Sequence, residues 1–238
     1  VALLNQLTAD AISSERRDVT RVPALPRVGG RHAHSKNKGR RLSDRPGKRV
    51  LDLSVAAALL VFFAPLMALI ALLIRLDTRG PVFFRQNRTG LRGRPFAIVK
   101  FRSMAVLENG ETIVQATKDD DRVTRVGRIL RKTSLDELPQ LFNVLMGEMS
   151  LVGPRPHAIA HDHHYSALID NYAIRQRVKP GVTGWAQVNG ARGATPTLDT
   201  MRERIRYDIW YAQRTSLALD LRILLATPFA ILGQRNAY

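Results

Sequence analysis

From Leu53 to Ile74 the chain carries no charged residue. The run is apolar on every helical face rather than along one stripe, and about 20 such residues is the length at which a helix spans bilayer hydrocarbon. The pattern predicts a membrane-inserted helix. Two features argue for a bend in it. Pro65, following Ala64, sits mid-run, where proline removes a backbone hydrogen bond and kinks a helix. Both flanks are basic, with Arg40, Arg41, Arg45, Lys48 and Arg49 before the run and Arg75, Arg79, Arg85, Arg88, Arg92 and Arg94 after it. The bias of basic residues toward one side of a membrane conflicts with placing either flank across it. A helix that enters, turns at Ala64-Pro65 and leaves by the same face satisfies both observations; a straight span is the alternative. The carbonyls freed at such a bend need donors, for which Ser54 or a neighbour is the candidate.

The pattern then shortens. Pro81-Val-Phe-Phe-Arg-Gln86 and Phe96-Ala-Ile-Val-Lys-Phe101 predict two short strands joined through Gly90-Leu-Arg-Gly93. Leu138, Leu141, Phe142, Leu145 and Met146 recur at helical spacing, with Gly147 as the stop, which predicts a helix burying that face. Pro139 is tolerated only in a first turn, so the helix is expected to start at Asp136 or very close to it. Helical periods also fit residues 157–174 and 197–213. The run from Leu217 to Leu232 is apolar but interrupted by Asp220, Arg222 and Pro228, which suits a helix lying on a membrane surface or on the protein's own core. Residues 1–47 show no period and many charges, and predict a flexible basic segment without a secretory cleavage pattern.

Composition adds a partner to this outline. The 238 residues hold 37 Lys and Arg against 20 Asp and Glu, a formal net charge of +17. With a sequence pI of about 11.3, an anionic partner is implied: a phosphorylated substrate, acidic lipid headgroups or nucleic acid. Aromatic residues make up 6% of the chain, too few for the interleaved stacking surface of a nucleic-acid binder. A non-enzymatic, membrane-anchored binder of nucleic acid or acidic lipid is therefore the lesser reading, and it makes the acids dispensable. The absence of cysteine excludes a disulfide framework, a thiolate nucleophile and a Cys-based zinc site. The chain opens on Val1, which marks a non-standard start or a piece of a longer protein.

Against that basic background, Arg131-Lys-Thr-Ser-Leu-Asp136-Glu137-Leu-Pro139-Gln140 sets two adjacent carboxylates beside clustered cations. One reading is structural, because Ser134-x-x-Glu137 matches a capping box. The chemical reading is phosphoryl transfer on an anionic substrate. An Asp with an ordinary pKa is already a carboxylate at neutral pH and needs no base to act as a nucleophile. Its attack on phosphorus gives a reactive acyl phosphate, and Glu137 is placed to hold Mg²⁺ together with substrate phosphates. Lys100, Arg102, Arg131 and Arg155 are the candidates for binding phosphate and stabilising charge. If the pair opens a helix, the helix dipole favours the ionised form of both acids.

Other clusters are weaker. His157 and His161 share a helical face with His163 and His164 nearby, but no His-Glu-x-x-His arrangement and no Cys accompany them. Asp119-Asp120-Asp121 reads as a loop or cap, because three adjacent side chains do not converge easily on one ion. Gly181-Val-Thr-Gly184 and Gly190-Ala-Arg-Gly193 read first as turns, with phosphate contact second.

Taken together, these motifs resemble the bacterial sugar transferase family, the monotopic polyprenyl-phosphate hexose-1-phosphate transferases, in the branch of the undecaprenyl-phosphate glucose phosphotransferases. The resemblance runs from Lys48 to Tyr238. It is carried by Lys48-Arg-Val-Leu-Asp52, Ala64-Pro65, Gly80-Pro-Val-Phe-Phe-Arg-Gln86, Lys100-Phe-Arg-Ser-Met104, Thr133-Ser-Leu-Asp-Glu-Leu-Pro-Gln140 and Gly147-Glu-Met-Ser-Leu-Val-Gly-Pro-Arg-Pro156. Lys179-Pro-Gly-Val-Thr-Gly-Trp-Ala-Gln-Val-Asn-Gly190, Tyr207-Asp-Ile-Trp-Tyr211 and Asn236-Ala-Tyr238 extend it.

What the resemblance implies is a helix-rich α+β protein of three parts. These are a flexible basic segment (1–47), a proline-broken re-entrant membrane helix (48–78) and a cytoplasmic catalytic domain (79–238) with C-terminal surface helices, on the bacterial inner membrane. It further implies transfer of a sugar-1-phosphate from a UDP-sugar, glucose favoured, to undecaprenyl phosphate with release of UMP. That reaction would initiate exopolysaccharide, capsule or O-antigen type assembly. Asp136 would be the nucleophile and Glu137 a Mg²⁺ ligand, with Lys100, Arg131 and Arg155 at phosphate and Pro65 at the turn of the membrane helix. Direct transfer with Asp136 as a base is the alternative mechanism. Two departures stand out: Ala64 occupies a position where many relatives have Ser, and residues 1–47 are too short for the multi-helix region of longer relatives. The chain is therefore a short form or lacks its front. Loops around 105–118 and 190–200 are the expected seat of sugar specificity, and nothing in the pattern selects an oligomeric state.

Overall fold

The uncharged run forms the middle of a single 32-residue helix, α1 (Pro46–Asp77), in the computed structural model, which describes residues 46–105, 120–193 and 195–233. The expectations for residues 1–45, for most of the 105–118 loop and for Asn236-Ala-Tyr238 lie outside the described residues. Only 17% of the most apolar stretch of α1 is buried, and it is long and apolar enough to cross a bilayer. Val61, Phe62, Leu69, Leu72 and Leu73 are all exposed. A contiguous apolar surface of this kind is compatible with a membrane anchor. Helical assignment continues through Pro65. Ser54 does not serve the carbonyls that Pro65 frees: its hydroxyl donates to Val50 O at 2.8 Å, on its own preceding turn.

Both ends of α1 are fastened to the same polar domain. At the start, Lys48 donates to Asp220 at 2.7 Å and to Val152 O at 3.2 Å. Arg49 donates to Val144 O at 2.6 Å and Leu145 O at 2.8 Å. Asp52 accepts from Ser150 Oγ and from the Leu151 amide, each at 3.0 Å. At the far end, the Asp77 carboxylate accepts from the Val126 amide at 3.1 Å. Buried Arg102 donates to Arg79 O and Thr78 O, both at 2.7 Å, and to Thr78 Oγ1 at 2.9 Å. The motif Lys48-Arg-Val-Leu-Asp52 is thus a polar dock, and Arg102 closes the carbonyl end of the helix as a C-terminal cation should.

Two small sheets frame the domain. The predicted hairpin forms as β1 (Phe83–Thr89) and β2 (Pro95–Phe101), antiparallel with Phe84 opposite Lys100 and Arg88 opposite Phe96. Helix α2 (Arg125–Thr133) is capped by Thr124, whose hydroxyl accepts from the Gly127 amide. Helix α3 (Gln140–Met146) ends on Gly147 at φ 85, a left-handed stop that suits glycine. β3 (Ser150–Val152) pairs in parallel with β4 (Gly181–Thr183). Gly153 and Gly181 let these backbones close: a Cβ on Gly181 would lie 2.0 Å from Gly153 N. The Gly181 motif is therefore a strand built for close backbone approach rather than a turn. Helices α4 (Ile159–Leu168), α5 (Trp185–Val188), α6 (Leu198–Arg214) and α7 (Leu217–Gly233) complete the order. The result is helix-rich α+β with one long apolar helix.

The core has two main apolar centres. Ala56 joins Phe96, Ile98, Leu141, Val144, Leu151, Tyr211 and Ile223 in one; Met67, Ile70 and Ile74 join Phe101 and Leu130 in the other. The membrane helix is thus shared between both along its length. One predicted face is corrected here. Helix α3 buries Leu141 and Val144, whereas Phe142 and Met146 are exposed. Phe142 lines an apolar groove with Leu60, Val61, Ala64 and Met67 on α1, so that side of α3 continues the apolar surface of the membrane helix.

Candidate active site

The acidic pair does not open α3. Ser134 takes a left-handed conformation at φ 57, which ends α2 and excludes the extended backbone of an N-cap. Leu135–Glu137 then form a single 3₁₀ turn, and Pro139 caps the α-helix that begins at Gln140. Ser134 makes no side-chain cap bond, so the capping box is not formed. Its hydroxyl instead accepts a hydrogen bond from Arg192.

Glu137 is clamped. Lys100, the penultimate residue of β2, donates to Oε1 at 2.8 Å. The Arg155 guanidinium forks onto both oxygens, at 2.5 Å to Oε1 and 3.1 Å to Oε2. Burial pushes this carboxyl up, but the charges and hydrogen bonds of Arg155 and Lys100 outweigh it and hold Glu137 well below the usual carboxylate range. The pair in turn raises the Arg155 guanidinium, while burial lowers the Lys100 ammonium.

Asp136 differs. Its carboxylate makes no hydrogen bond among the described residues. Burial pushes its pKa up to about 6 against the pull of Lys100, and the neighbouring Glu137 charge adds to the rise. The downward shift expected from a helix dipole is thus reversed for Asp136 by burial, which leaves it a carboxylate only above about pH 6. One carboxylate is therefore neutralised in place and the other is left open, ringed by Lys100, Arg131 and Arg155. Arg131 contributes charge while its Nη1 lies 3.6 Å from Met104 Sδ.

The remaining predicted residues separate. Arg102 is not part of this ring, because its guanidinium is spent on the end of α1. His157 is buried with its Nδ1 2.7 Å from the Tyr172 hydroxyl, which donates to Asp162. Burial and the surrounding arginines hold His157 well below its ordinary value, hence neutral. Asp120 binds Arg122 through both carboxylate oxygens, at 2.9 and 2.7 Å, as a loop residue does. No group of three metal-ligating side chains occurs among the described residues.

Two contributors, Arg88 and Asn143, escaped the sequence reading, and a third, Arg192, lies in a loop read first as a turn and second as a phosphate contact. Arg88 sits within the field of Glu137 and Arg155, lowered to about 10 by burial first and Arg155 second. Arg192 comes from the Gly190–Gly193 loop, and burial lowers it beside Glu137, Arg155 and Asp136. An arginine between two glycines was the available signal. Asn143 donates to Ala97 O at 2.8 Å and accepts from the Val99 amide at 3.0 Å. It thereby fastens α3 to the strand that carries Lys100. Arg155 is fixed from behind, since its carbonyl accepts from Arg175, which is itself paired with Asp208 at 2.9 Å.

An open carboxylate among cations, next to a membrane-associating helix, is suited to an anionic phosphorylated substrate met at a lipid surface. The class is that of a membrane-associated sugar-phosphate transferase. The bacterial sugar transferase family profile matches residues 43–234, and the chain belongs to that family. It is similar to the UDP-glucose:undecaprenyl-phosphate glucose-1-phosphate transferase of Caulobacter vibrioides, 58% identical over 191 residues, covering 80% of this chain and 72% of that protein. The proteins of the same name from Xanthomonas campestris pv. campestris and Escherichia coli K12 are 56% and 49% identical, each over 80% of this chain. This chain spans only 40% and 41% of their lengths.

Proposed function

We propose that this protein transfers a hexose-1-phosphate, with glucose favoured, from a UDP-sugar to undecaprenyl phosphate and releases UMP. The observation that carries the reading is the asymmetry of the pair: Asp136 is open among cations while Glu137 is clamped by Lys100 and Arg155. In the first step an Asp136 oxygen attacks the β-phosphorus. The bond from that phosphorus to the bridging oxygen breaks, and UMP leaves with the electron pair. In the second step a phosphate oxygen of the lipid attacks the same phosphorus and expels the Asp136 carboxylate. The polyprenyl diphosphate sugar forms and the enzyme is restored. Lys100, Arg131, Arg155, Arg88 and Arg192 offset the charge of the diphosphate throughout.

Magnesium enters this reading with the substrate. Glu137 would be its ligand: Lys100 and Arg155 occupy Oε1 twice and Oε2 once, which leaves acceptor capacity on Oε2 for an ion held by one carboxylate and substrate phosphates rather than by a protein cage. When bound, it supplies charge neutralisation at the diphosphate.

The re-entrant topology is part of the proposal. A straight 32-residue helix is roughly 48 Å long at 1.5 Å per residue. The fastening of Lys48 and Asp52 at one end and of Thr78 and Asp77 at the other to one polar domain supports entry and exit by a single face. A UDP-sugar donor places that face on the cytoplasmic side of the inner membrane, as the first step of glycan assembly. A second mechanism, direct transfer with Asp136 as general base, is favoured by its pKa of about 6. The test is a panel of UDP-sugars assayed for UMP release, with and without undecaprenyl phosphate. A sugar-phosphate adduct on Asp136 in the absence of lipid supports the covalent route. UMP release that strictly requires lipid, with no adduct, selects the direct one.

A further inference from the structure

The chain has two tryptophans, and they stack on each other. Trp185 at the start of α5 and Trp210 near the end of α6 lie with ring centroids 4.9 Å apart at 19°. Each inner face is covered by the other ring, so the outer faces remain. Arg214 lies over Trp210 at 5.0 Å and Arg222 over Trp185 at 6.0 Å. The four side chains form one ladder, arginine to arginine, across α5, α6 and α7.

Two properties distinguish this ladder from packing. A guanidinium held over an aromatic ring keeps N–H donors available for a planar or forked anion. Arg214 and Arg222 are exposed, and among the described residues neither has a carboxylate partner. Helix α7 also carries Leu217, Leu221, Leu225 and Phe229 as an exposed stripe at four-residue spacing. Arg222 is next to Leu221 and one turn from Leu225, so the cations border the apolar stripe. Tryptophan with arginine beside an apolar helix face is the arrangement suited to the headgroup layer of a bilayer.

We propose that the Arg214–Trp210–Trp185–Arg222 ladder is a binding site for the phosphate of an anionic phospholipid, separate from the Asp136 site. It rests on the membrane-associated reading and deepens it by assigning a headgroup class. The site sets how α7 lies on the surface. Each arginine contributes a preference for anionic over zwitterionic lipid on the order of fivefold.

Because both tryptophans belong to the ladder, selectively excited tryptophan fluorescence reports this site alone. The full chain is reconstituted in vesicles containing either a brominated phosphatidylglycerol or a brominated phosphatidylcholine at equal mole fraction, with bromines near the headgroup. Stronger quenching by the phosphatidylglycerol is expected, falling to the phosphatidylcholine level in Arg214→Gln/Arg222→Gln and largely retained in Arg214→Lys/Arg222→Lys. Equal quenching by the two lipids overturns the proposal, as does unchanged selectivity in the Gln variant or no quenching at all. Flotation of the same samples with neutral vesicles tests membrane association itself, so a protein that floats without selective quenching refutes the lipid site only. Near-ultraviolet circular dichroism checks that the variants keep the tryptophan stack.

Discussion

Asp136 and Glu137 are joined by one peptide bond, yet only Glu137 is held by cations, with Lys100 Nζ at 2.8 Å and Arg155 Nη2 at 2.5 Å from its Oε1. The clamp neutralises one acid and keeps the cations where they act on the other. Asp136 stays partly desolvated and unbonded, which raises its pKa and its readiness to take a new partner.

The ionisation of Asp136 sets a pH limit on activity. With its pKa raised from 3.8 to about 6, the nucleophilic carboxylate is present above that value and lost below it. UMP release at limiting UDP-sugar is expected to fall tenfold per pH unit below about pH 6. Asp136→Asn is expected to lower turnover by on the order of 10³-fold or more.

The same shift has a stability consequence of opposite sign. Between pH 3.8 and about 6 the folded state binds a proton that the unfolded state has released. The Asp136 contribution to stability therefore falls as pH rises through that window and stays unfavourable above it. Asp136→Asn is expected to be more stable than the parent at pH 7.5, by up to about 3 kcal/mol. Thermal melts at pH 4 and pH 7.5 check this, since the gain must shrink at the lower pH.

Removing the clamped acid should shift its neighbour. Glu137→Gln takes away a charge that raises Asp136 and releases Lys100 and Arg155 to act on it. The acid limb of any residual activity is expected to move to lower pH, and stability to drop by about 1–3 kcal/mol as two partly buried cations lose their partner. A pH profile of UMP release and a denaturant titration measure the two effects.

Asn143 holds the strand that carries Lys100 through the Ala97 carbonyl and the Val99 amide. Asn143→Ala deletes its bonds to Ala97, Val99 and Glu148, leaving a partly buried amide and carbonyl of β2 unpaired. A loss of about 2–4 kcal/mol is expected. Reduced turnover with little change in KM is the expected kinetic result, measured with saturating lipid acceptor.

Topology can be read chemically because the chain has no cysteine. Pro46→Cys and Arg79→Cys place single thiols at the two exposed ends of α1. Both are expected to react with an impermeant maleimide from the same side of oriented vesicles. Labelling from opposite sides would establish a straight span and remove the re-entrant proposal.

Much of this site was legible as residue type and less as geometry. The hairpin, the Gly147 stop and the apolar helix follow from local pattern, and the acid pair stood out against the basic background. Local pattern did not foresee the left-handed Ser134, and so it assigned an N-cap to Asp136 where a 3₁₀ turn forms. Lys100 and Arg102 share one motif, but β2 ends at Phe101, and Arg102 turns to the end of α1 instead of the dyad. Hydropathy alone could not separate the core side of α3 from the side bearing Phe142 and Met146, because the exposed apolar positions beside α1 and the core-facing ones are equally apolar. Arg192 and Asn143 act through partners 58 and 46 residues away in the chain, beyond any local period.

The dock at Lys48 also orders events during synthesis. Its partners Val152, Tyr211 and Asp220 lie 104, 163 and 172 residues downstream. When α1 leaves the ribosome, the ammonium that must be buried at its start has no counter-charge, and none arrives until α7 has been translated. Burial of the Lys48 ammonium therefore waits for α7. A chain truncated before Asp220 keeps the Arg49 and Asp52 contacts of α1 but leaves the Lys48 ammonium without its counter-charge.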